Sequence, residues 1–354
     1  MNHSGSDKRS IAQIKTFGRK PISVSQEALV SVSLLNKQSN LPLMIQPRVD
    51  GIDLQAWTMR NQGQIESSLL KHGALLFRGF NLREADDFER FVKTVSSELL
   101  EYRERSSPRS LVQGHIYTST NYPADQTIFL HNENSYQTTW PQKIFFFCQT
   151  APAAGGETPI ADCRRTLRRL DPMIVERFKE KKVMYVRNFG NGFGLPWQTV
   201  FQTDDKNQLN YYCRRAGIEA EWKDANQLRT RQVREAVALH PVTREPIWFN
   251  HAAFFHESTL EPAIREMLRS QFKEEDLPNN TYYGDGSPIE PSVLDQIRDA
   301  YLNETVVFPW LKGDLLMLDN MLVAHGRAPY TEPRKILVGM ADPYSNRSYP
   351  QYAD

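Results

Sequence analysis

The sequence predicts an α+β fold in which helices surround an antiparallel β core. Short apolar runs recur along the chain, and the most apolar are ALLF (74–77), KIFFFC (143–148) and KILVGM (335–340). Polar segments with apolar residues at helical spacing lie between these runs. Neither GNGFG nor GDGS fits the glycine frame of a dinucleotide-binding loop, so a doubly wound sheet is not expected.

The first half of the chain is expected to alternate between helices and buried strands. Gly73 ends the first helix, since glycine readily takes the left-handed conformation of a helix C-terminus. The predicted elements are a helix over 51–73, a strand over 74–80, a helix over 82–100, and strands over 125–130 and 143–150, the last closed by a turn at 151–159.

The second half is expected to hold further short strands and polar helices. Helices are predicted over 166–182, 224–241 and most of 256–304, and strands over 183–189, 199–203, 209–215, 245–250, 305–310, 313–327 and 335–342. The glycine-rich segment 188–199 (NFGNGFGLPWQT) could form a mobile lid.

Composition excludes several function classes. Lys and Arg number 43 against 42 for Asp and Glu, so no electrostatic attraction to nucleic acid or to an anionic membrane is expected. The polar start MNHSGSDKRS has no apolar signal core, and no apolar run approaches the ~20 residues that span a bilayer. We expect a soluble, cytoplasmic protein with a flexible or partly ordered segment at 1–40 and one domain at 41–354; its oligomeric state is not predicted.

Three cysteines, Cys148, Cys163 and Cys213, are too few for a disulfide framework and suit a reducing cytoplasm. Their spacing contains no CxxC pair, so structural thiols are favoured over a metal site built from all three.

The stretch LHNENSYQTTWP (130–141) carries the strongest chemical signal. Side chains at i and i+2 of a strand share a face, so His131 and Glu133 converge if the strand continues through both. HxE occurs often by chance, and the pair needs a third ligand. His325, 194 residues further on at the end of LLMLDNMLVAHGR, supplies it. Two histidines and one carboxylate form the facial triad of non-haem Fe(II) oxygenases.

The chain resembles the TauD/TfdA family of Fe(II)/2-oxoglutarate oxygenases from about Leu41 to Tyr344. The resemblance rests on TNYPADQTIFLHNENSY, GGETPIAD and LDNMLVAHGRAPYTEPRKI, and on a histidine followed by an arginine about ten residues on. HNENSY, FFFC and GGETPIAD are most similar to the SyrP-like branch, in the clavaminate synthase-like group. The resemblance implies a double-stranded β-helix (jelly-roll) and, in that branch, oxidation of amino-acid units, some held on carrier proteins.

The resemblance also implies a ligand set. His131, Glu133 and His325 would bind Fe(II), and Arg334 and Thr158 would bind the distal carboxylate of 2-oxoglutarate, with O2 as the third participant. An arginine fork suits a carboxylate better than a lysine does. Chlorinating relatives have a small residue in place of the carboxylate ligand, so Glu133 argues against halogenation.

Substrate contacts are less well indicated. Tyr136 and Trp140 follow the triad, and Trp248, Asn250, His251 and His256 lie in WFNHAAFFHE; core packing is an equally good explanation of Trp248. His251 and His256 are five apart, off the i, i+4 spacing of a helical metal pair. A substrate carboxylate would need a cation, for which the candidates are Arg103, Arg109, Arg187 and Arg327.

The sequence therefore predicts an Fe(II)/2-oxoglutarate oxygenase that hydroxylates an amino-acid or peptidyl unit, free or on a peptidyl carrier protein. Epoxidation and desaturation would use the same residues. A metal-free jelly-roll binding protein and a zinc-type hydrolase remain as alternatives from other classes.

Overall fold

A computed structural model describes residues 29–100, 104, 109–120, 122–224 and 226–345. Its main feature is an eight-stranded sheet, called the large sheet below. The strands in spatial order are Val30–Leu34, Leu43–Pro47, Ala74–Phe77, Leu315–Asp319, Thr139–Thr150, Lys335–Ser345, Ile116–Thr118 and Leu111–Gln113. All neighbours are antiparallel except Leu43–Pro47 and Ala74–Phe77, which are parallel.

A four-stranded sheet, called the ligand sheet below, carries both histidines of the predicted triad. Its strands in spatial order are Thr305–Val306, Ile160–Asp162, Val323–Arg327 and Ile128–His131, all antiparallel. The ring of Phe146, on the large sheet, lies 5.1 Å from that of His325, so the two sheets meet at the predicted site. This two-sheet arrangement confirms the jelly-roll.

The inner strands of the large sheet are buried on both faces, which explains why Ala74–Phe77 and most of Leu315–Asp319 are apolar. Alternate residues belong to two different cores. Leu316, Phe146 and Val338 pack in the core shared with the ligand sheet. Phe77, Phe145 and Met317 pack in a second core against helices Leu54–Arg60, Gln62–His72 and Ala85–Val95.

The predicted helix over 51–73 is divided in two. Asn61 separates Leu54–Arg60 from Gln62–His72, and Gly73 ends the second with φ 72, as predicted. The predicted helix over 82–100 begins at Ala85 and ends at Val95. The strand expected over 125–130 spans Ile128–His131.

A second four-stranded sheet lies beyond the jelly-roll, and here several predictions are wrong. Its strands in spatial order are Glu219–Trp222, Leu228–Arg234, Val183–Phe189 and Asn279–Tyr283. The segment 224–241, predicted as a helix, contains strands Leu228–Arg234 and Val237–Leu239. Of the segments predicted as strands, residues 199–201 lie in helix Trp197–Phe201 and residues 209–215 lie in helix Lys206–Arg215.

The remaining elements are short. The further helices are Cys163–Arg169, Pro172–Lys181, Pro262–Gln271 and Pro291–Asn303, with 3-10 turns at Glu257–Thr259 and Glu274–Asp276. Two-stranded pairs join Val237–Leu239 to Pro246–Trp248 and Ala154–Gly155 to Tyr330–Thr331. None of the helices described is long and apolar enough to cross a membrane. Of the segment expected to be flexible or partly ordered, residues 30–34 form the outer strand of the large sheet.

Candidate metal centre

The two histidines of the predicted triad oppose each other in the ligand sheet. His131 ends its strand and is the cross-strand partner of His325. Their ring centroids are 4.5 Å apart. Opposed residues of an antiparallel pair have neighbouring side chains, so strand register alone brings these two together from distant parts of the chain.

Gly326, next to His325, allows the close approach of these strands. A Cβ built on Gly326 would lie 2.6 Å from the carbonyl oxygen of Ile128, which is backbone and cannot turn aside. The register also shifts between His325 and Arg327. Glycine is therefore required at this position by the neighbouring strand, a role that the sequence pattern did not reveal.

Glu133 reaches the histidines from a turn, which corrects the expectation of a continued strand. The strand ends at His131, and Asn134 has a left-handed backbone with φ 58. Asn320 holds this turn: its Oδ1 accepts from Glu133 N at 2.8 Å, and its Nδ2 donates to Glu133 O at 2.9 Å. In the sequence, Asn320 is marked by its position: Asp319 and Asn320 are a polar pair inside the otherwise apolar run LLMLDNMLV.

Burial keeps both histidines neutral at neutral pH. It lowers the pKa of His131, and it lowers the pKa of His325 well below the ordinary value of 6.5, with help from the nearby His131 and Arg109. His131 Nδ1 lies 2.8 Å from the carbonyl oxygen of Phe129, which can only accept. The proton is therefore on Nδ1, and Nε2 keeps the lone pair that a metal needs.

The three side chains fit a divalent ion. One ligand atom from each of His131, Glu133 and His325 lies within 4.8 Å of the others, and within the described residues this is the only such group of three or more. Glu133 Oε2 and His325 Nε2 are 4.0 Å apart, too far for a hydrogen bond and about twice a metal–nitrogen bond of ~2.1 Å. Two imidazoles and one carboxylate on one side suit Fe(II) with open positions.

Arg334 and Thr158 line the same cavity as the histidines. The Arg334 guanidinium donates from Nε to the Gly156 carbonyl at 2.9 Å and lies over the Tyr330 ring. Burial, with Arg327 nearby, lowers the pKa of Arg334 to about 10, so it stays charged at neutral pH. Among the described residues no carboxylate lies within ion-pair distance of its guanidinium, so its charge faces the cavity without an acidic partner.

Thr158 is oriented by a tryptophan. Its Oγ1 accepts from Trp310 Nε1 at 3.1 Å, which leaves the hydroxyl hydrogen able to donate to a carboxylate. Lys335, the neighbour of Arg334, is exposed, pairs with Thr150 in the large sheet, and does not line this cavity.

The cavity has a volume of about 640 Å³ and extends well beyond these residues. Phe254 stacks on His131 with ring centroids 4.3 Å apart and forms one wall. The outer part is mostly apolar; its walls include Phe193, Leu260, Ile264, Met267, Leu268 and Leu277. Phe193 and Gly194 place part of the predicted lid segment at the cavity wall.

Three of the four tentative substrate residues are absent from the cavity wall. Trp248 is fully buried and meets Phe178 edge to face. Asn250 donates to Ala236 O and accepts from Ala252 N, so it holds backbone. The Tyr136 hydroxyl donates to the carbonyl of Glu104. In the structure these three side chains are thus occupied by packing or by hydrogen bonds within the protein, and their contact with a substrate stays a prediction.

Arg327, the fourth, lines the cavity, but both of its Nη groups are engaged by backbone, while its buried Nε has no hydrogen-bond partner among the described residues. Its guanidinium donates to the carbonyls of Tyr122, Pro123 and Gln126. Of the other candidate arginines, Arg109 lines the cavity and Arg187 does not. Arg103 lies outside the described residues.

The remaining candidates for metal binding do not converge. His251 Nδ1 lies 2.9 Å from Ser135 Oγ, and His256 Nδ1 accepts from Ser258 N. Neither histidine joins a metal-ligating cluster among the residues that the structure covers. The three cysteines are free and buried, as structural thiols would be.

Sequence comparison finds one matching family model and several relatives. The model of the taurine catabolism dioxygenase TauD, TfdA family matches residues 37–341. The dapdiamide synthesis protein DdaC of Enterobacter agglomerans is 43% identical over 279 residues, covering 79% of this chain and 85% of DdaC. A clavaminate synthase-like protein of Arabidopsis thaliana is 30% identical over 294 residues, covering 80% of this chain and 86% of that protein.

Solved structures share the fold. PvcB of Pseudomonas aeruginosa superposes with a TM-score of 0.53 at 16% identity, covering 91% of this chain and 94% of PvcB. A second PvcB structure is described as an Fe, alpha-ketoglutarate dependent oxygenase from an isonitrile synthetic pathway. A taurine dioxygenase of Burkholderia xenovorans gives a TM-score of 0.54 at 14% identity, covering 90% of this chain and 92% of the other.

Proposed function

The chain belongs to the TauD, TfdA family of dioxygenases, and from this premise we propose that it hydroxylates an amino-acid or peptidyl unit in natural-product biosynthesis. It is a 2-oxoglutarate-dependent dioxygenase that uses Fe(II) and O2. The observation that carries the proposal is that His131, His325, Thr158 and Arg334 line one cavity. Glu133 joins the two histidines in a group that could hold a metal ion.

His131, Glu133 and His325 would hold the iron, which with 2-oxoglutarate and O2 supplies an oxidant able to remove hydrogen from an unactivated C–H bond. Arg334 would anchor the distal carboxylate of 2-oxoglutarate with its planar fork, and Thr158 would donate a second hydrogen bond to it. The rings of Phe146 and Phe254 pack against the two histidines, and these apolar walls would help to protect a reactive intermediate from side reactions.

Relatives and cavity size support the substrate class. DdaC is named for the synthesis of dapdiamide, and PvcB is described as part of an isonitrile synthetic pathway. The cavity of about 640 Å³ lies in the range of roughly 300–1,000 Å³ typical of drug-sized ligands. The cavity therefore has room for 2-oxoglutarate and for a substrate larger than a free amino acid. A peptidyl unit presented by a carrier protein would be such a substrate.

The test is succinate formation that depends on O2, Fe(II) and added substrate. Free amino acids, short peptides and the same units on a carrier protein are supplied in turn, and product mass is measured. Gain of one oxygen with loss of no hydrogen is expected. Loss of two hydrogens would identify a desaturase. An epoxide has the same mass as the hydroxylated product, so NMR of the product distinguishes an epoxidase from a hydroxylase. A zinc-type hydrolase or a metal-free binding protein would give no succinate with any of them.

A further inference from the structure

His256 lies on the wall of the cavity, and the protein holds only one of its two ring nitrogens. Its Nδ1 accepts from Ser258 N at 3.1 Å and lies 2.8 Å from Ser258 Oγ. Within the described residues no hydrogen-bond partner of Nε2 is found, and this atom is not buried. It can therefore be reached from the cavity that His256 lines.

These contacts determine which ring nitrogen of His256 carries the proton. A backbone N–H can only donate, so Nδ1 must present a lone pair to Ser258 N. Burial lowers the pKa of His256 to about 4; the charge of Glu257 opposes this shift and the charge of Arg298 adds to it. The ring is neutral at neutral pH and holds one proton, so Nε2 is an N–H donor.

A chain of hydrogen bonds behind the ring fixes its orientation. Arg298 Nη1 donates to Ser258 Oγ at 3.0 Å and to Thr259 Oγ1 at 3.3 Å, and Arg298 Nη2 pairs with Asp295. The Ser258 hydroxyl then donates to the lone pair of His256 Nδ1. Thr259 Oγ1 donates to a backbone carbonyl. Both hydroxyls beside His256 are thus used within the protein, and the imidazole is held with Nε2 on its far side.

The space that this donor faces is mostly apolar. Phe254, two residues before His256, stacks on His131 and belongs to the same wall. The cavity is also lined by Leu260, Ile264, Met267 and Leu277. A substrate carbonyl that enters such a space loses its hydrogen bonds to water and needs a donor from the protein. A neutral N–H group meets that need for an uncharged carbonyl, whereas a buried carboxylate would need a countercharge.

We propose that His256 donates a hydrogen bond from Nε2 to an amide carbonyl of the primary substrate, so that the site takes an acylated or peptidyl unit in preference to a free amino acid. The inference rests on the proposed function and deepens it, because it names a residue that recognises the substrate. A purely structural role is the alternative: Nδ1 caps the 3-10 turn Glu257–Thr259, and Nε2 faces only water. The two roles use different ring nitrogens and can be separated.

The first measurement locates the ring proton. Protein labelled with ¹⁵N-histidine and loaded with Zn(II) and 2-oxoglutarate gives long-range ¹H–¹⁵N spectra, in which His256 is identified by the signal that His256→Asn loses. At neutral pH this signal should be that of a neutral ring with its proton on Nε2. A proton on Nδ1, or a charged ring, would overturn the proposal.

The second measurement is the calorimetric affinity of the same Zn(II) complex for N-acetyl-leucine N-methylamide, for its two thioamide analogues and for free leucine. Sulfur replaces one carbonyl oxygen in each analogue and is a weaker acceptor. His256→Asn keeps an acceptor for Ser258 N, as asparagine caps helical turns well, but loses the Nε2 donor. His72→Asn is the matched control, because His72 contacts Asn40 O away from the cavity.

Wild type should bind the amide about 5–10-fold more tightly than one of the thioamides, as expected for one hydrogen bond. His256→Asn should lose this preference and His72→Asn should keep it. Free leucine should bind wild type more weakly than the amide. Wild type that does not bind the amide, equal binding of the amide and both thioamides, tighter binding of free leucine, or a preference that survives in His256→Asn would overturn the proposal.

The proposed function is tested separately by the visible charge-transfer band of the anaerobic Fe(II)–2-oxoglutarate complex. Absence of this band in wild type would refute the proposed function. A band in wild type without the carbonyl preference would refute only the role of His256.

Discussion

Asn320 shows how a residue outside the cavity determines where a metal ligand lies. It is fully buried and donates to Pro141 O as well as to Glu133 O. Replacing Asn320 with Ala would leave those buried groups without partners, which costs about 1–3 kcal/mol of stability. We also expect metal affinity to fall about 10–100-fold because the turn of Glu133 loosens.

Metal titration together with thermal unfolding tests this, with Asn303→Ala as control. Asn303 lies at an exposed helix end, and its Nδ2 donates to the carbonyl oxygen of Asp299. Unchanged metal affinity in folded Asn320→Ala would contradict the positioning role.

Arg334 should govern co-substrate affinity and leave the metal unaffected. Arg334→Gln removes the charge and the fork, so we expect the Kd for 2-oxoglutarate to rise about 100-fold, an effect within the range for a buried charge-assisted pair. Co(II) affinity should change little. Lys335→Gln is the matched control, since Lys335 is exposed and outside the cavity. A larger rise in Kd in Lys335→Gln than in Arg334→Gln would show that Lys335, and not Arg334, binds the carboxylate.

A substitution at Trp248 tests whether this residue packs in the core or contacts the substrate. It is fully buried against Phe178, so Trp248→Phe should cost about 1–3 kcal/mol, as large-to-small core changes do. It should leave the KM of the eventual substrate unchanged once the variant is folded. Urea unfolding and steady-state kinetics check this; a changed KM at full folding would restore Trp248 as a substrate residue.

Among secondary-structure elements, the pairing of Ile128–His131 with Val323–Arg327 is what the site depends on most. Gly326→Ala would force the strands apart, because its Cβ meets the Ile128 carbonyl at 2.6 Å. We expect a stability loss of about 1–3 kcal/mol and metal affinity at least ~10-fold weaker. Gly63→Ala is the control: Gly63 is exposed on a helix, and a Cβ built on it meets no atom within 4 Å. It should leave metal affinity unchanged. Full metal affinity in Gly326→Ala would show that the strand spacing is not critical.

The elements were predictable where burial and local pattern agree. Strand Ala74–Phe77 and residues 336–341 of strand Lys335–Ser345 are apolar because both faces of the large sheet are covered there. Leu228–Arg234 is rich in Arg and Gln, which favour a helix, yet neighbouring strands flank it on both sides, and its buried Arg229 pairs with Asp276. Tertiary pairing overrides propensity there.

The opposite error occurred at Lys206–Arg215. Its aromatic residues favour a strand, but Leu209 and Cys213 are buried four residues apart on one face of a helix that Asp205 caps. The capping residue Asp205 is a signal for a helix start, but the aromatic composition of the segment outweighs it in a prediction from sequence.

For the whole molecule, the candidate metal ligands stand out in the sequence because local motifs carry them, and strand register brings His131 and His325 together. The substrate side does not stand out, because its walls come from Phe193, Ile264 and Leu277, whose apolar side chains look like ordinary core residues in sequence. Which apolar residues face a cavity depends on how separate elements pack, and no local pattern encodes that.

The central claim is that His131, Glu133 and His325 hold an iron to which 2-oxoglutarate binds. The most direct test adds Fe(II) and 2-oxoglutarate to the metal-free protein without O2 and records the visible charge-transfer band. Wild type and Trp248→Phe should show the band, and folded His131→Ala and Glu133→Ala should lack it. Folded wild-type protein without a band, or a band that survives both substitutions, would contradict the account.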